Sequence, residues 1–212
     1  MTDSKRDWFR KDTWSTDDER DFRAHLQRTR PNGRSQYLRI QAAHLLQNGL
    51  PEPALALLDE FFVAPDDLFL TLGHTLRARA LTDLGRLDDA FTAYRDALEA
   101  QRRHPNVQTY AALEFAELVV ATQKRGLFTE ALELLGELHG EDPFPATQYR
   151  EAAVRAQIAH ASGDQATARR EAGRALRAAD AAKAPFARHP DVGLVRQVDP
   201  EVHARLEAMC AA

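Results

Sequence analysis

The chain has 212 residues, 44% hydrophobic and 28% charged, a composition that suits a globular protein with an apolar core. Its formal net charge of -4 gives no reason to expect attraction to nucleic acid or to anionic lipid. Its single cysteine excludes an internal disulfide bond, and no apolar run approaches the roughly 20 residues that cross a bilayer. Because the N-terminus also lacks an apolar signal segment, we predict a cytoplasmic protein without a membrane partner.

The first 33 residues form a charged lead in which one helix is predicted. Thr16 is followed three residues later by Glu19, a spacing typical of the capping box that begins a helix. Phe22 and Leu26 then give this helix an apolar stripe. We therefore assign residues 1–33 to an N-terminal lead with a capping helix.

The aromatic residues of the lead admit two interpretations. They are Trp8, Phe9 and Trp14, and they include both tryptophans of the chain. In the first interpretation they cap the fold by packing against the helix around residues 38–45. In the second they anchor a partner, because Trp is frequent among interface hot spots. We favour the cap, since Trp commonly buries a large apolar area and leaves one polar edge in water.

Residues 34–180 contain helical periodicities separated by short breaks with Gly, Pro or Asn. Four stretches align on a glycine followed five positions later by an alanine. The pairs are Gly49 with Ala54, Gly85 with Ala90, Gly126 with Ala131, and Gly163 with Ala168. We expect each glycine to end a helix in the left-handed conformation, and each alanine to let the next helix approach closely. The pattern predicts an all-α chain of about nine or ten helices, built from stacked antiparallel helix hairpins.

The second of these stretches carries a more detailed motif. Ala78, Leu81, Gly85, Ala90, Tyr94 and Ala97 follow an order of small, large, turn, small, aromatic and small residues. With this motif the chain resembles the tetratricopeptide repeat (TPR) family over about residues 34–180, although its repeats are longer than the usual ~34 residues. The family's early tryptophan is replaced by Leu38, His74 and Phe115. The resemblance implies a TPR-like α-α superhelix of about four hairpins with a capping helix at each end. The abundance of Arg, Ala and Leu leads us to expect a bacterial source.

Residues 181–212 are predicted to form an irregular, turn-rich segment followed by a C-terminal capping helix over 200–210. Val202, Leu206 and Met209 lie on one side of that helix. Such a stripe suits a terminal helix that covers the end of a repeat stack.

The sequence contains no motif of a zinc protease, a serine hydrolase or a nucleotide-binding enzyme. The eight histidines are scattered, and Cys210 lies close to the C-terminus. Arginine clusters are interleaved with acidic residues, which is typical of a solvated helix face. We therefore predict a non-enzymatic protein with no metal, no cofactor and no nucleic-acid partner.

The TPR resemblance implies a concave groove lined by the first helix of each pair. The candidate lining residues are Gln36, Arg39, Gln47, Arg79, Asp83, Gln123, Arg150, Gln157 and His160. Because Arg can hold a carboxylate with two hydrogen bonds, an acidic peptide segment or a chain terminus is a natural guest. The alternative is that these side chains only keep an exposed groove hydrated.

Three functional hypotheses follow. The first is a protein- or peptide-binding module of the adaptor, regulatory or immunity type that uses this groove. The second is a sensor of a small ligand or a signalling peptide. The third is an enzyme whose site is assembled across helices without a sequence signature, and helical repeats rarely carry catalysis. A homodimer formed through an uncapped end of the stack also stays open.

Overall fold

The computed structural model describes residues 7–137, 143–183, 186, 188–189 and 191–211, without the side chain of Asn32. Within these ranges the chain forms ten α-helices and no strand, so the all-α prediction is confirmed. The helices are α1 Thr16–Arg28, α2 Pro31–Gln47, α3 Pro51–Phe61, α4 Leu70–Asp83, α5 Leu87–Arg103, α6 Ala111–Ala121, α7 Phe128–Gly136, α8 Pro145–Ala161, α9 Gln165–Ala179 and α10 Pro200–Ala211. Their arrangement as a TPR-like superhelix stays a prediction. Parts of the predicted lead and of the predicted irregular segment lie outside the described residues.

The chain divides into two compact units, Met1–Ala111 and Ala112–Ala212, which we call the N-terminal and C-terminal units. In the N-terminal unit α2 packs against α3, α3 against α4, and α4 against α5. The core around α3 includes Leu57 and Phe61, which are fully buried. A Cβ on Gly73 would overlap the Phe61 ring, so α4 approaches α3 too closely for a larger residue at this position.

In the C-terminal unit α8 packs against α9, and α10 packs against both. The core between them consists largely of alanines, which lets the helix backbones approach closely. Leu206 and Met209 of α10 are buried in this core, and Val202 packs against it. The predicted C-terminal helix and its apolar stripe are therefore confirmed.

Three of the four predicted glycines end a helix as expected. Gly49, Gly85 and Gly163 have φ angles of 70°, 71° and 85°. After Gly85, the N–H of Arg86 donates to the carbonyl oxygen of Leu81 at 2.8 Å. This is the 6→1 hydrogen bond of the Schellman motif, which commonly ends a helix. The four alanines of the pattern are also buried: Ala54, Ala90 and Ala131 are 0% exposed and Ala168 is 1% exposed.

The prediction for Gly126 is wrong. Helix α6 ends earlier, and Gln123 takes the left-handed conformation with a φ angle of 52°. The same 6→1 hydrogen bond forms at this helix end, where the N–H of Lys124 donates to the carbonyl oxygen of Val119 at 3.1 Å. Gly126 instead lies in a short 3-10 turn, Arg125–Leu127, that leads into α7.

The predicted capping box is displaced by one residue. Ser15, not Thr16, precedes the first helical residue of α1, and Asp18 takes the place assigned to Glu19. The hydroxyl of Ser15 accepts from the Asp18 N–H at 3.1 Å, and the Asp18 carboxylate accepts from the Ser15 N–H at 2.9 Å. Both residue pairs have the same spacing, and the usual motif, with Glu or Gln as its last residue, favours Thr16 and Glu19.

Candidate functional site

The aromatic residues of the lead pack onto the N-terminal unit. The Trp8 ring lies 4.9 Å from the Tyr37 ring and 5.3 Å from the Phe22 ring, centroid to centroid. The Trp14 ring lies 5.5 Å from the Phe22 ring. Phe9 lies 4.8 Å from Tyr37. All three pack against the core cluster that contains Leu38, Ala42 and Leu45, and these are the contacts that the cap interpretation requires.

A buried glutamine also holds the lead in place. Gln41 of α2 is 0% exposed, and its side-chain amide bonds the main chain of Lys11. The Lys11 ammonium in turn lies 2.8 Å from the Asp21 carboxylate of α1. Gln41 was not predicted from the sequence. The available signal was a polar residue on the apolar stripe that Leu38 and Leu45 define.

The predicted groove residues of the N-terminal unit do not share one environment. Gln36, Gln47, Arg79 and Asp83 are exposed. Arg39 is half-buried, and its guanidinium carbon lies 4.9 Å from the centre of the Phe69 ring. Its Nε atom is buried without a hydrogen-bond partner among the described residues, and burial lowers the pKa of Arg39.

The other four predicted groove residues meet at one cavity in the C-terminal unit. The cavity has a volume of about 640 Å³. Its walls are the end of α6 with the following turn, one face of α8, residues 194–199 and part of α10. Gln123, Arg150, Gln157 and His160 all line it. Their role in binding stays a prediction.

Arg150 is already paired within the chain. Its Nε donates to Oε1 of Glu117 and its Nη2 to Oε2, both at 2.7 Å. This two-bond geometry is the one by which we expected an arginine to hold a guest carboxylate. Arg150 therefore positions α8 against α6, and its fork is not open to a guest in this arrangement.

Three further arginines line the cavity, and none of them was predicted from the sequence. They are Arg125 in the turn after α6, Arg196 in the irregular segment and Arg205 on α10. Arg205 lies 3.9 Å from Glu201, a pair so exposed that it contributes little. The TPR resemblance implies a groove lined by the first helix of each hairpin, so it does not predict lining residues from the irregular segment or from the terminal helix.

Tyr149 of α8 also belongs to the cavity wall. The residue is 7% exposed, and its hydroxyl is buried without a partner among the described residues. Burial, and secondly the nearby Asp199 carboxylate, raise the pKa of Tyr149, so the phenol stays protonated at neutral pH. A protonated phenol can donate a hydrogen bond to a guest once the side chain turns towards the cavity, because its hydroxyl has almost no accessible surface in the free chain. The His203 ring lies over the Tyr149 ring at 6.2 Å.

Residues 194–199, which we call the strap, form one wall of the cavity and are fixed at both ends. Just before the strap, the Gly193 carbonyl oxygen accepts from the N–H of Ala146 at 2.8 Å. Gly193 has a φ angle of 73°, and a Cβ there would overlap Phe144. At the other end the Asp199 carboxylate caps α10, accepting from the N–H of Glu201 at 2.8 Å.

Within the described ranges, the structure has neither a cluster of metal ligands nor a membrane-spanning helix. No group of three or more His, Cys, Asp or Glu side chains in them is arranged to hold a metal ion. None of the helices in them combines the length and the apolar character that crossing a bilayer requires.

Comparison with known proteins gives no match: no protein-family model, no curated protein and no solved structure matches this chain. The resemblance to the TPR family therefore stays a prediction from the sequence motif, and a functional interpretation depends on the geometry of the cavity.

Proposed function

We propose that the chain is a non-enzymatic binding module that takes a short acidic segment of a protein or peptide in the cavity of its C-terminal unit. The observation that carries this proposal is the cavity itself. Its volume of about 640 Å³ lies within the range of roughly 300–1,000 Å³ typical of ligand sites. Its wall combines apolar side chains, among them Val120, Val195 and Val198, with several arginines.

The charges of the wall favour an acidic guest. Glu117 and Arg150 neutralise each other through their paired hydrogen bonds. Among the described wall residues, this leaves three arginines, Arg125, Arg196 and Arg205, and one carboxylate, that of Asp199. A guest with carboxylates would complement this excess of positive charge.

The side chains of the wall support binding rather than catalysis. Among the described wall residues there is no serine, threonine, cysteine or lysine that could act as a nucleophile. His160, a candidate general base, lies at the exposed end of α8 with its Nδ1 atom 3.2 Å from the Gln165 amide oxygen.

A selection experiment tests the proposal. A random hexapeptide display library is panned against the full chain, and the enriched peptides are expected to be rich in Asp and Glu. Arg196→Glu should abolish the enrichment, because it reverses one charge of the wall. Arg169→Glu, a matched change of an exposed arginine on α9 outside the wall, should leave it intact. No enrichment, or enrichment of basic peptides, would count against an acidic peptide guest.

A small-ligand sensor is the second candidate, and the enclosed hydroxyl of Tyr149 favours it. A compact ligand with one hydrogen-bond acceptor and an apolar body would suit that hydroxyl. A thermal-shift screen of aromatic and aliphatic carboxylates tests this alternative. A shift of the melting temperature that Arg196→Glu removes, together with an empty peptide selection, would favour the sensor.

A further inference from the structure

We infer that the guest peptide lies along the strap and forms hydrogen bonds with the main chain of residues 194–198. This inference rests on the proposed function and adds the mode of binding to it. The acidic side chains of the peptide then meet the arginines of the wall, and its main chain meets the strap.

The strap runs along the cavity. All six of its residues, 194–199, line the wall. Consecutive residues of a helix would turn away from the cavity, so a helical segment could not line it in this way. A guest in the cavity therefore has the strap beside it over several residues.

The main chain of the strap is open to a partner. No main-chain hydrogen bond joins the backbone of residues 194–198 to any other residue that the structure describes. None of these residues is proline, so each offers both an N–H and a carbonyl oxygen. By contrast, the flanking residues Gly193 and Asp199 both have backbone partners, in Ala146 and His203.

Peptide amides are the groups that match such a backbone. An extended peptide presents alternating N–H and carbonyl groups along one edge, and pairing with an open main chain is a common mode of peptide recognition. A free carboxylic acid could form hydrogen bonds with one or two of these main-chain groups, but not with several consecutive ones. The strap also needs little rearrangement to bind, because Gly193 and Asp199 fix its ends.

The arginines set the character of the guest side chains. Arg196 belongs to the strap itself and is exposed. Arg205 of α10 lines the same cavity. Side chains on alternate residues of an extended peptide point to the same face, so alternating acidic residues suit a guest that pairs with the strap.

Amide hydrogen exchange, measured by NMR on the full chain, tests this mode of binding. The probe is the tightest-binding hexapeptide from the display library. In the free protein the amides of residues 195–198 should exchange rapidly. With the hexapeptide bound, exchange at alternate positions of this run should slow at least tenfold. Bound peptide without any slowing there would overturn the inference.

Peptides and variants give an independent test. The same hexapeptide, N-methylated at alternate amides, should bind at least tenfold more weakly. Arg196→Pro and Gln197→Pro each remove one main-chain N–H group. Neighbouring N–H groups point in opposite directions along a paired strand, so only one of these two groups faces the peptide. One of the two should weaken binding at least tenfold relative to alanine at the same position. If the N-methylated peptide and both proline variants bind as tightly as their controls, the strap is not the docking edge.

The outcomes separate the inference from the proposed function. If no hexapeptide is enriched at all, the acidic peptide guest is wrong and the inference falls with it. If acidic hexapeptides bind and Arg196→Glu abolishes their binding, but exchange and N-methylation have no effect, only the pairing with the strap is wrong.

Discussion

The side-chain amide of Gln41 pairs with the main chain of Lys11 in both directions. It donates to the Lys11 carbonyl oxygen at 2.8 Å and accepts from the Lys11 N–H at 2.9 Å. A fully buried side chain of α2 thereby holds the lead, 30 residues earlier in the chain.

Gln41→Ala should therefore destabilise the N-terminal unit. The change leaves the N–H and carbonyl of Lys11 without a partner, so we expect the free energy of unfolding to fall by about 2 kcal/mol. Both tryptophans lie in the lead, so intrinsic tryptophan fluorescence during urea unfolding monitors this segment directly. Gln36→Ala, an exposed change on the same helix, should shift stability by less than about 0.5 kcal/mol. Equal effects of the two variants would contradict a structural role for Gln41.

Trp8→Ala and Trp14→Ala distinguish the two interpretations of the lead. Each ring is partly buried against Phe22, so each truncation should lower stability by about 1–3 kcal/mol if the lead caps the unit. The melting temperature, followed by circular dichroism, is the measurement. Unchanged melting temperatures, together with loss of a binding partner, would instead identify the aromatics as an anchor.

Gln123→Gly should stabilise the C-terminal unit. Gln123 has a φ angle of 52°, a conformation that costs a residue with a Cβ about 1 kcal/mol and costs glycine almost nothing. Thermal unfolding should therefore occur at a higher temperature. Gly163→Ala in the same unit should have the opposite effect, since its φ angle is 85° and its Cβ would meet nothing within 4 Å. A destabilised Gln123→Gly variant would indicate that contacts of the glutamine side chain outweigh the backbone strain.

The turn at Gln123 is a helix end that the sequence pattern did not predict correctly. The glycine pattern located three helix ends, because glycine enters the left-handed region freely. That preference amounts to about 1 kcal/mol, so tertiary packing can place a different residue there, as it does at Gln123. The strap and the additional arginines of the cavity wall were not predicted, for another reason. The strap has no hydrophobic period, and nothing in the sequence indicated that Arg196 and Arg205 would lie near Arg150 and Gln157. Those positions depend on how α10 packs onto α8.

The capping box of α1 predicts a specific loss of stability in acid. Hydrogen bonds from the Ser15 main chain and hydroxyl, and then from Thr13, lower the pKa of Asp18 from 3.8 to about 2. Because the pKa is lower in the folded state, the stabilisation is fully present above about pH 4 and is lost as the pH falls towards 2. Asp18→Asn should therefore lower stability by about 1 kcal/mol at pH 7. The difference from the unmodified chain should shrink steadily below pH 4.

Urea unfolding at a series of pH values, followed by tryptophan fluorescence, checks this prediction. Asp17→Asn is the matched control, since its carboxylate is exposed and bonds only Arg20 among the described residues. At pH 7 its effect on the free energy of unfolding should be smaller than that of Asp18→Asn. A constant difference for Asp18→Asn down to pH 2 would mean that the carboxylate is not the stabilising group.

Tyr149→Phe should separate stability from binding. The Tyr149 hydroxyl is buried without a partner among the described residues, so its removal relieves an unsatisfied polar group. We expect the free protein to be as stable as before or more stable, by up to about 1 kcal/mol. Binding of the selected hexapeptide should weaken about tenfold, because the protein no longer donates this hydrogen bond to it.

Calorimetry of peptide binding and thermal unfolding of the free chain give the two measurements. Tyr110→Phe, outside the cavity wall, should leave peptide binding unchanged. If Tyr149→Phe destabilises the chain and binds the peptide normally, the hydroxyl has a structural partner and takes no part in the site.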